Sequence, residues 1–243
     1  MVRTERRSTI EVVTLDRPER RNALDHDTVL ELLEVQERLA AEPAERLRAI
    51  VLTGAPPAFC AGADLTGVEE GRFATDLSRV LRGFGALPCP VIAAIDGPAL
   101  GAGTQLAVAC DLRVATPGSV LGIPAAKLGL AVDHWTLRRA SAELSPPIAR
   151  AMLVAARTYT AAELERTGGI HLLGDLGAAL DWAERIARLA PLTMAAHKVG
   201  LVASDPEGVE AFEELRSAAW ASQDAVEGRS AFLDKRPATF TGR

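Results

Sequence analysis

Two short glycine-rich segments hold the residues best suited to chemistry. Phe59-Cys60-Ala61-Gly62-Ala63-Asp64-Leu65 follows a β-like run at 49–54, and Gly97-Pro98-Ala99-Leu100-Gly101-Ala102-Gly103-Thr104-Gln105-Leu106-Ala107 follows another at 91–95. Small residues let a ligand approach the main chain. The second segment opens a helix running to about Cys110, and the first N–H groups of such a helix have no partner within it and lie at the positive end of its dipole. Two backbone N–H groups arriving from separate strand-to-helix turns are what an oxyanion hole requires, because a carbonyl oxygen gains negative charge as an enolate or tetrahedral species forms. Either segment alone is equally explained by close packing of helix on sheet. A dinucleotide site fits poorly: Gly101-Ala102-Gly103 starts a GxGxx pattern, but the third position is the bulky Leu106 and no first βαβ unit with an acidic ribose partner is evident.

The elements that must position these segments alternate. Ile10-Glu11-Val12-Val13-Thr14-Leu15 reads as a strand ended by Asp16-Arg17-Pro18, Asp25 or Asp27 can cap a helix reaching about Ala40, and 49–54, 91–95 and 112–115 read as further strands. Asp64 is placed to cap the helix after its loop. Strands alternating with helices predict an α/β layer architecture. Strand-like runs stop near residue 145, Pro146-Pro147 marks the change, and 151–156, 161–167, 182–189 and 207–222 read as helices.

Composition narrows the function. The 243 residues are 48% hydrophobic, enough for one large core, and that core is aliphatic, with one Tyr, six Phe and three Trp. A formal charge of -5 argues against nucleic acid, whose phosphates require a basic surface. An anionic ligand needs a local basic patch instead. Cys60, Cys89 and Cys110 are odd in number and lack CxxC spacing, so they read as small buried hydrophobes, and the scattered His26, His171 and His197 do not have metal-ligand spacing. No metal is expected. Met1–Ile10 has no apolar signal core and no run is long enough to span a bilayer, which predicts a cytoplasmic protein without membrane partners.

The segments together, with Leu15-Asp16-Arg17-Pro18-Glu19-Arg20-Arg21-Asn22-Ala23-Leu24 before them and Phe232-Leu233-Asp234-Lys235-Arg236-Pro237 after, resemble in order and spacing the enoyl-CoA hydratase/isomerase (crotonase) family over nearly the whole chain. The resemblance implies a spiral of ββα units over 1–190 and a helical oligomerisation region over 191–243, forming homotrimers or hexamers. It implies a coenzyme A thioester as ligand and no permanently bound cofactor. It places the oxyanion donors at the N–H groups of Ala63 and Ala102, with Ala61, Asp64 and Leu65 lining the substrate site. It further places Lys235 near the coenzyme A phosphates and Phe232 beside the adenine or pantetheine. Arg20 and Arg21 could add positive charge for the phosphates.

The resemblance fails where the chemistry should be. Hydratases hold one water between two glutamates that exchange protons with it. The first glutamate's place holds Gln105, which can hold water but cannot act as its base. The second, directly after a proline, is Ala125 after Pro124. Loss of general acid–base groups typically costs on the order of 10² to 10⁴ in rate for each. The expectation is therefore an acyl-CoA-binding protein of lipid metabolism that is a poor or inactive hydratase. The alternative is an active enzyme using Asp133, at a place where some family members carry a working aspartate, as proton carrier or nucleophile. Asp133 is equally explained as a polar wall residue or as the cap of a helix starting near Trp135, and Asp111 reads as structural.

Overall fold

A computed structural model describes residues 1–64, 66 and 70–243. Nine strands and ten α-helices are present among them: β1 Val2–Arg7, β2 Ile10–Leu15, α1 His26–Ala40, β3 Ala49–Gly54, α2 Glu70–Ala86, β4 Val91–Ile95, β5 Ala99–Leu100, α3 Ala102–Ala109, β6 Leu112–Ala115, β7 Val120–Gly122, α4 His134–Leu144, α5 Pro146–Val154, β8 Tyr159–Thr160, α6 Ala161–Glu165, β9 Leu172–Leu173, α7 Leu176–Ile186, α8 Pro191–Val202, α9 Pro206–Ala221 and α10 Gln223–Leu233. The strands form a six-stranded sheet in the order β1-β2-β3-β4-β6-β9 and a three-stranded sheet in the order β5-β7-β8. Every pairing from β2 to β9 in the larger sheet is parallel.

The apolar runs at β3 and β4 follow from burial on both faces. Ile50 and Leu52 join a core with Val13, Leu15 and Leu32 of α1, while the alternating Ala49 and Val51 meet Ile92, Ala94 and the α7 residues Ala179, Ala183 and Ile186 on the other side. The chain thus winds from a strand of the large sheet to a short strand of the small one and then into a helix, as in β4-β5-α3 and β6-β7-α4.

Several features depart from the sequence reading, among them the start of α5 at Pro146 rather than 151. The sheet does not end near residue 145: β8 pairs with β7, and β9 continues the large sheet beside β6. Each is only two residues long, too short to leave a period-2 signature. The N-terminal β1 was not foreseen, because its Thr, Glu and Arg side chains are exposed on an edge strand, where charge protects against further pairing. Helix α7 begins six residues before the expected 182, with Asp175 as its cap. The cap at Asp25 and the span of α1 to Ala40 agree with expectation.

Helices α8–α10 are tied to the body by buried polar side chains. Lys198 of α8 donates to Cys89 O at 2.7 Å and pairs with Asp111 at 2.7 Å, and Arg48 donates to Phe240 O at 2.8 Å. Asp111 is structural as expected. All three cysteines are buried, and burial pushes each thiol up to about 12. Among the described residues, no helix is long and apolar enough to cross a membrane.

Candidate active site

The two glycine-rich segments lie side by side, held by backbone hydrogen bonds. Cys60 N donates to Pro98 O at 3.1 Å and Leu100 N to Cys60 O at 2.9 Å, so Cys60 bridges Ala99 in parallel register. Gly103 must be glycine for α3 to start here, because a Cβ would stand 2.2 Å from Cys60 O, an immovable backbone atom. Gly62, with φ of +119°, turns the first segment beside the second; a Cβ on it would lie 3.9 Å from Ala102 N.

This register determines which amides are free. Leu24 N donates to Gly62 O at 2.8 Å and Asp64 N to Leu24 O at 2.7 Å, forming a parallel bridge between Leu24 and Ala63. In a parallel bridge the residue between the two bonded peptides turns its own N–H and C=O to the opposite side. Ala63 N–H therefore faces away from Leu24. Ala102 is the first residue of α3, where no intrahelical acceptor exists. Neighbouring amides are consumed: Ala61 N by Arg21 O, Gly101 N by Gly122 O and Gln105 N by Gly101 O. Among the described residues, neither Ala63 N nor Ala102 N has an acceptor in the protein.

Gln105 is one helical turn beyond Ala102 and 7% exposed, and its side-chain amide makes no hydrogen bond among the described residues. Ala125 opens a single turn of 3-10 helix over Ala125–Leu128, capped by Pro124, and packs half-buried on the main core. No carboxylate occupies either position.

Asp133 is the N-cap of α4. One carboxylate oxygen accepts from Thr136 N at 2.9 Å, the other from Ser78 Oγ at 3.1 Å, and Arg82 stands at 3.8 Å. Partial burial raises its pKa, but the hydrogen bonds from Thr136 and Ser78 and the charge of Arg82 outweigh it and hold the carboxyl below the usual range. A carboxylate so stabilised is a weaker base than a free one.

Asp64 does not cap the next described helix, which begins at Glu70; its Oδ1 accepts from Thr66 N and Oγ1 in a local turn, a motif that competes with capping. Those bonds, with the charges of Arg20 and Arg17, hold its carboxyl below the usual range. Arg20 reaches within 3.9 Å of Asp64, and the exposed Arg21 offers its carbonyl to Ala61, so both stand beside the first loop. Leu65 lies outside the described residues. Phe232 is 83% exposed, and Lys235 follows α10 at a positive φ of 53°. Among the described residues, no hydrogen bond or ion pair joins Phe232 or Lys235 to the glycine-rich segments. Of the histidines, His26 pairs with Asp76 at 3.0 Å and His171 Nδ1 accepts from Arg113 N, both structural contacts.

Sequence reasoning gave Arg17 and Asn22 no role, although both sit in the opening stretch. Asn22, 1% exposed, donates to Ala55 O and Ala58 O at 2.7 and 2.6 Å and accepts from Arg17 N, tying that stretch to the turn before Phe59. Arg17 donates to Ala23 O and pairs with Asp25 and Asp64. Only the buried polar type of Asn22 beside a turn could have signalled such a role.

A two-sheet α/β spiral with adjoining loops, on which two backbone N–H groups have no acceptor among the described residues, defines the class of fold. Comparison with known proteins makes the class specific. The model of the enoyl-CoA hydratase/isomerase family matches residues 5–243, so the chain belongs to that family. It is 44% identical over 238 residues, covering 95% of each chain, to the probable enoyl-CoA hydratase echA6 of Mycobacterium tuberculosis. It is 32% identical to the 2,3-dehydroadipyl-CoA hydratase of Escherichia coli, covering 98% of this chain and 97% of that one. The crystal structure of an enoyl-CoA hydratase from Bacillus anthracis superposes with a TM-score of 0.89 at 26% identity, covering 100% of this chain and 99% of that one. The fold is thus crotonase-like, and the family places the chain in acyl-CoA metabolism.

Proposed function

We propose that this protein binds an acyl-coenzyme A thioester with its carbonyl between the N–H groups of Ala63 and Ala102, and that it is a poor or inactive hydratase. The observation that carries this reading is the pair of amides on adjoining loops that have no acceptor among the described residues, taken together with the residue types Gln105 and Ala125. Donors aimed at a developing oxyanion bind and polarise the thioester, but without a carboxylate nothing takes a proton from water or returns one to the α-carbon. Arg20, Arg21 and Lys235 supply the positive charge for the phosphates of coenzyme A, with Phe232 against its apolar part. The exposed Leu201, Trp220 and Leu233 on α8–α10 form the contact between copies in a trimer or hexamer.

Calorimetric titration of the purified protein with a panel of acyl-CoA thioesters, coupled to product analysis, tests the reading. Binding without product is expected. Hydration of crotonyl-CoA at rates near those of ordinary hydratases would overturn it.

A second reading keeps catalysis and assigns it to Asp133, whose side chain remains 38% exposed. Its hydrogen bonds and depressed pKa count against it as a base. If the panel reveals any turnover, Asp133→Asn should abolish it under this reading; full activity in that variant removes Asp133 from the chemistry.

A further inference from the structure

Arg17 is half-buried behind the first loop and touches both sides of the bridge that aims Ala63. Its Nη1 donates to Ala23 O at 2.5 Å, immediately before Leu24, and its Nη2 stands 2.9 Å from Asp25 and 3.5 Å from Asp64, immediately after Ala63. Its side chain is 16% exposed and that of Asp64 is 10% exposed. Leu24 in turn is bonded to Gly62 and Asp64, the peptides that flank Ala63. One planar guanidinium therefore fastens both strands of the bridge, and it also neutralises a carboxylate one residue from a donor meant for negative charge.

We infer that Arg17 is a positioning residue for the Ala63 N–H: it holds Leu24 and Asp64 in the register that turns this amide toward the ligand, and it offsets the charge of Asp64 there. Arg17 makes no contact with the ligand itself. The inference rests on the proposed binding of a thioester carbonyl at Ala63 and Ala102.

Its consequence is selective. A ligand with a carbonyl feels the aim of Ala63 N–H, whereas a coenzyme A thioether, in which a methylene replaces that carbonyl, does not. The infrared carbonyl frequency of a bound, carbonyl-labelled acyl-CoA reports polarisation directly.

The test uses the full chain with Arg17→Gln and Arg17→Lys, measuring affinity for butyryl-CoA and for its thioether analogue, and the carbonyl shift of bound butyryl-CoA. Arg17→Gln is expected to weaken thioester binding about tenfold, to leave thioether binding within twofold, and to reduce the carbonyl shift. Arg17→Lys keeps the charge but cannot span three acceptors, so it should fall between wild type and Arg17→Gln. If Arg17→Gln does not fold, Arg17→Lys carries the same comparison. Equal weakening of thioester and thioether, or an unchanged carbonyl shift, would overturn the inference. If the wild type itself shows no carbonyl shift and no preference for the thioester, the parent reading fails, and the inference with it.

Discussion

At the scale of single residues, the proposed loss of hydration rests on two positions. Under that proposal Gln105 and Ala125 take the places of the two carboxylates, and neither side chain can exchange a proton with water. Restoring both as Gln105→Glu with Ala125→Glu should raise crotonyl-CoA hydration by on the order of 100-fold over the parent protein, measured by loss of enoyl absorbance. Gln105→Glu alone should gain little, because position 105 is 7% exposed and burial favours the neutral acid. Asp133 serves structure first. Asp133→Ala should cost about 1 kcal/mol of stability at pH 7 through loss of the α4 cap. Since the folded pKa lies below the ordinary 3.8, the carboxylate's contribution is complete above that value and disappears as pH falls through the folded pKa. Urea unfolding at pH 7 and pH 3 should therefore show the deficit of the variant at the first pH and a smaller one at the second.

At the scale of elements, the site depends on how closely α3 approaches the first loop. Gly103 permits that approach, and Gly103→Ala would press a methyl group against Cys60 O. Overpacking against backbone cannot be relieved by a rotamer change, so a loss of about 3 kcal/mol is expected, with acyl-CoA binding lost as the loops separate. Thermal unfolding and titration of the same sample check both effects. A variant with wild-type stability would mean that the loops shift without penalty. By contrast Ala102, inside the first helical turn, needs no glycine, and its side chain leaves the N–H available.

At the scale of the whole molecule, the helical end matters most. Trp220 is 66% exposed, Leu201 86% and Leu233 78%, a set of apolar side chains too large to be left in water without cost. Self-association through this surface is expected, and Trp220→Glu should lower the molar mass measured by light scattering toward that of one chain. A wild-type protein already monomeric at micromolar concentration would remove this surface from the interface. Such assembly also bears on Phe232 and Lys235, because among the described residues of one chain no hydrogen bond or ion pair ties the end of α10 and the residues after it to the glycine-rich loops.

Much of this protein was legible from local chemistry. Short runs rich in aliphatic and β-branched residues marked β2, β3, β4 and β6, since burial on both faces favours such residues at nearly every position, and the cap at Asp25 announced α1. The glycine spacing marked both loops, and the residue types at 105 and 125 supply the sequence basis for the proposal that ordinary two-carboxylate hydration is lost. Tertiary structure alone decided what depends on pairing between distant segments. β8 and β9 exist because each pairs two residues with a neighbouring strand, which leaves no trace in a stretch so short. The freedom of Ala63 N–H comes from its register with Leu24, 39 positions earlier, and the fork of Arg17 behind it joins residues that only the folded chain brings within 4 Å. Side-chain type determined which chemistry is possible; long-range register determined which amides remain free to take part in it.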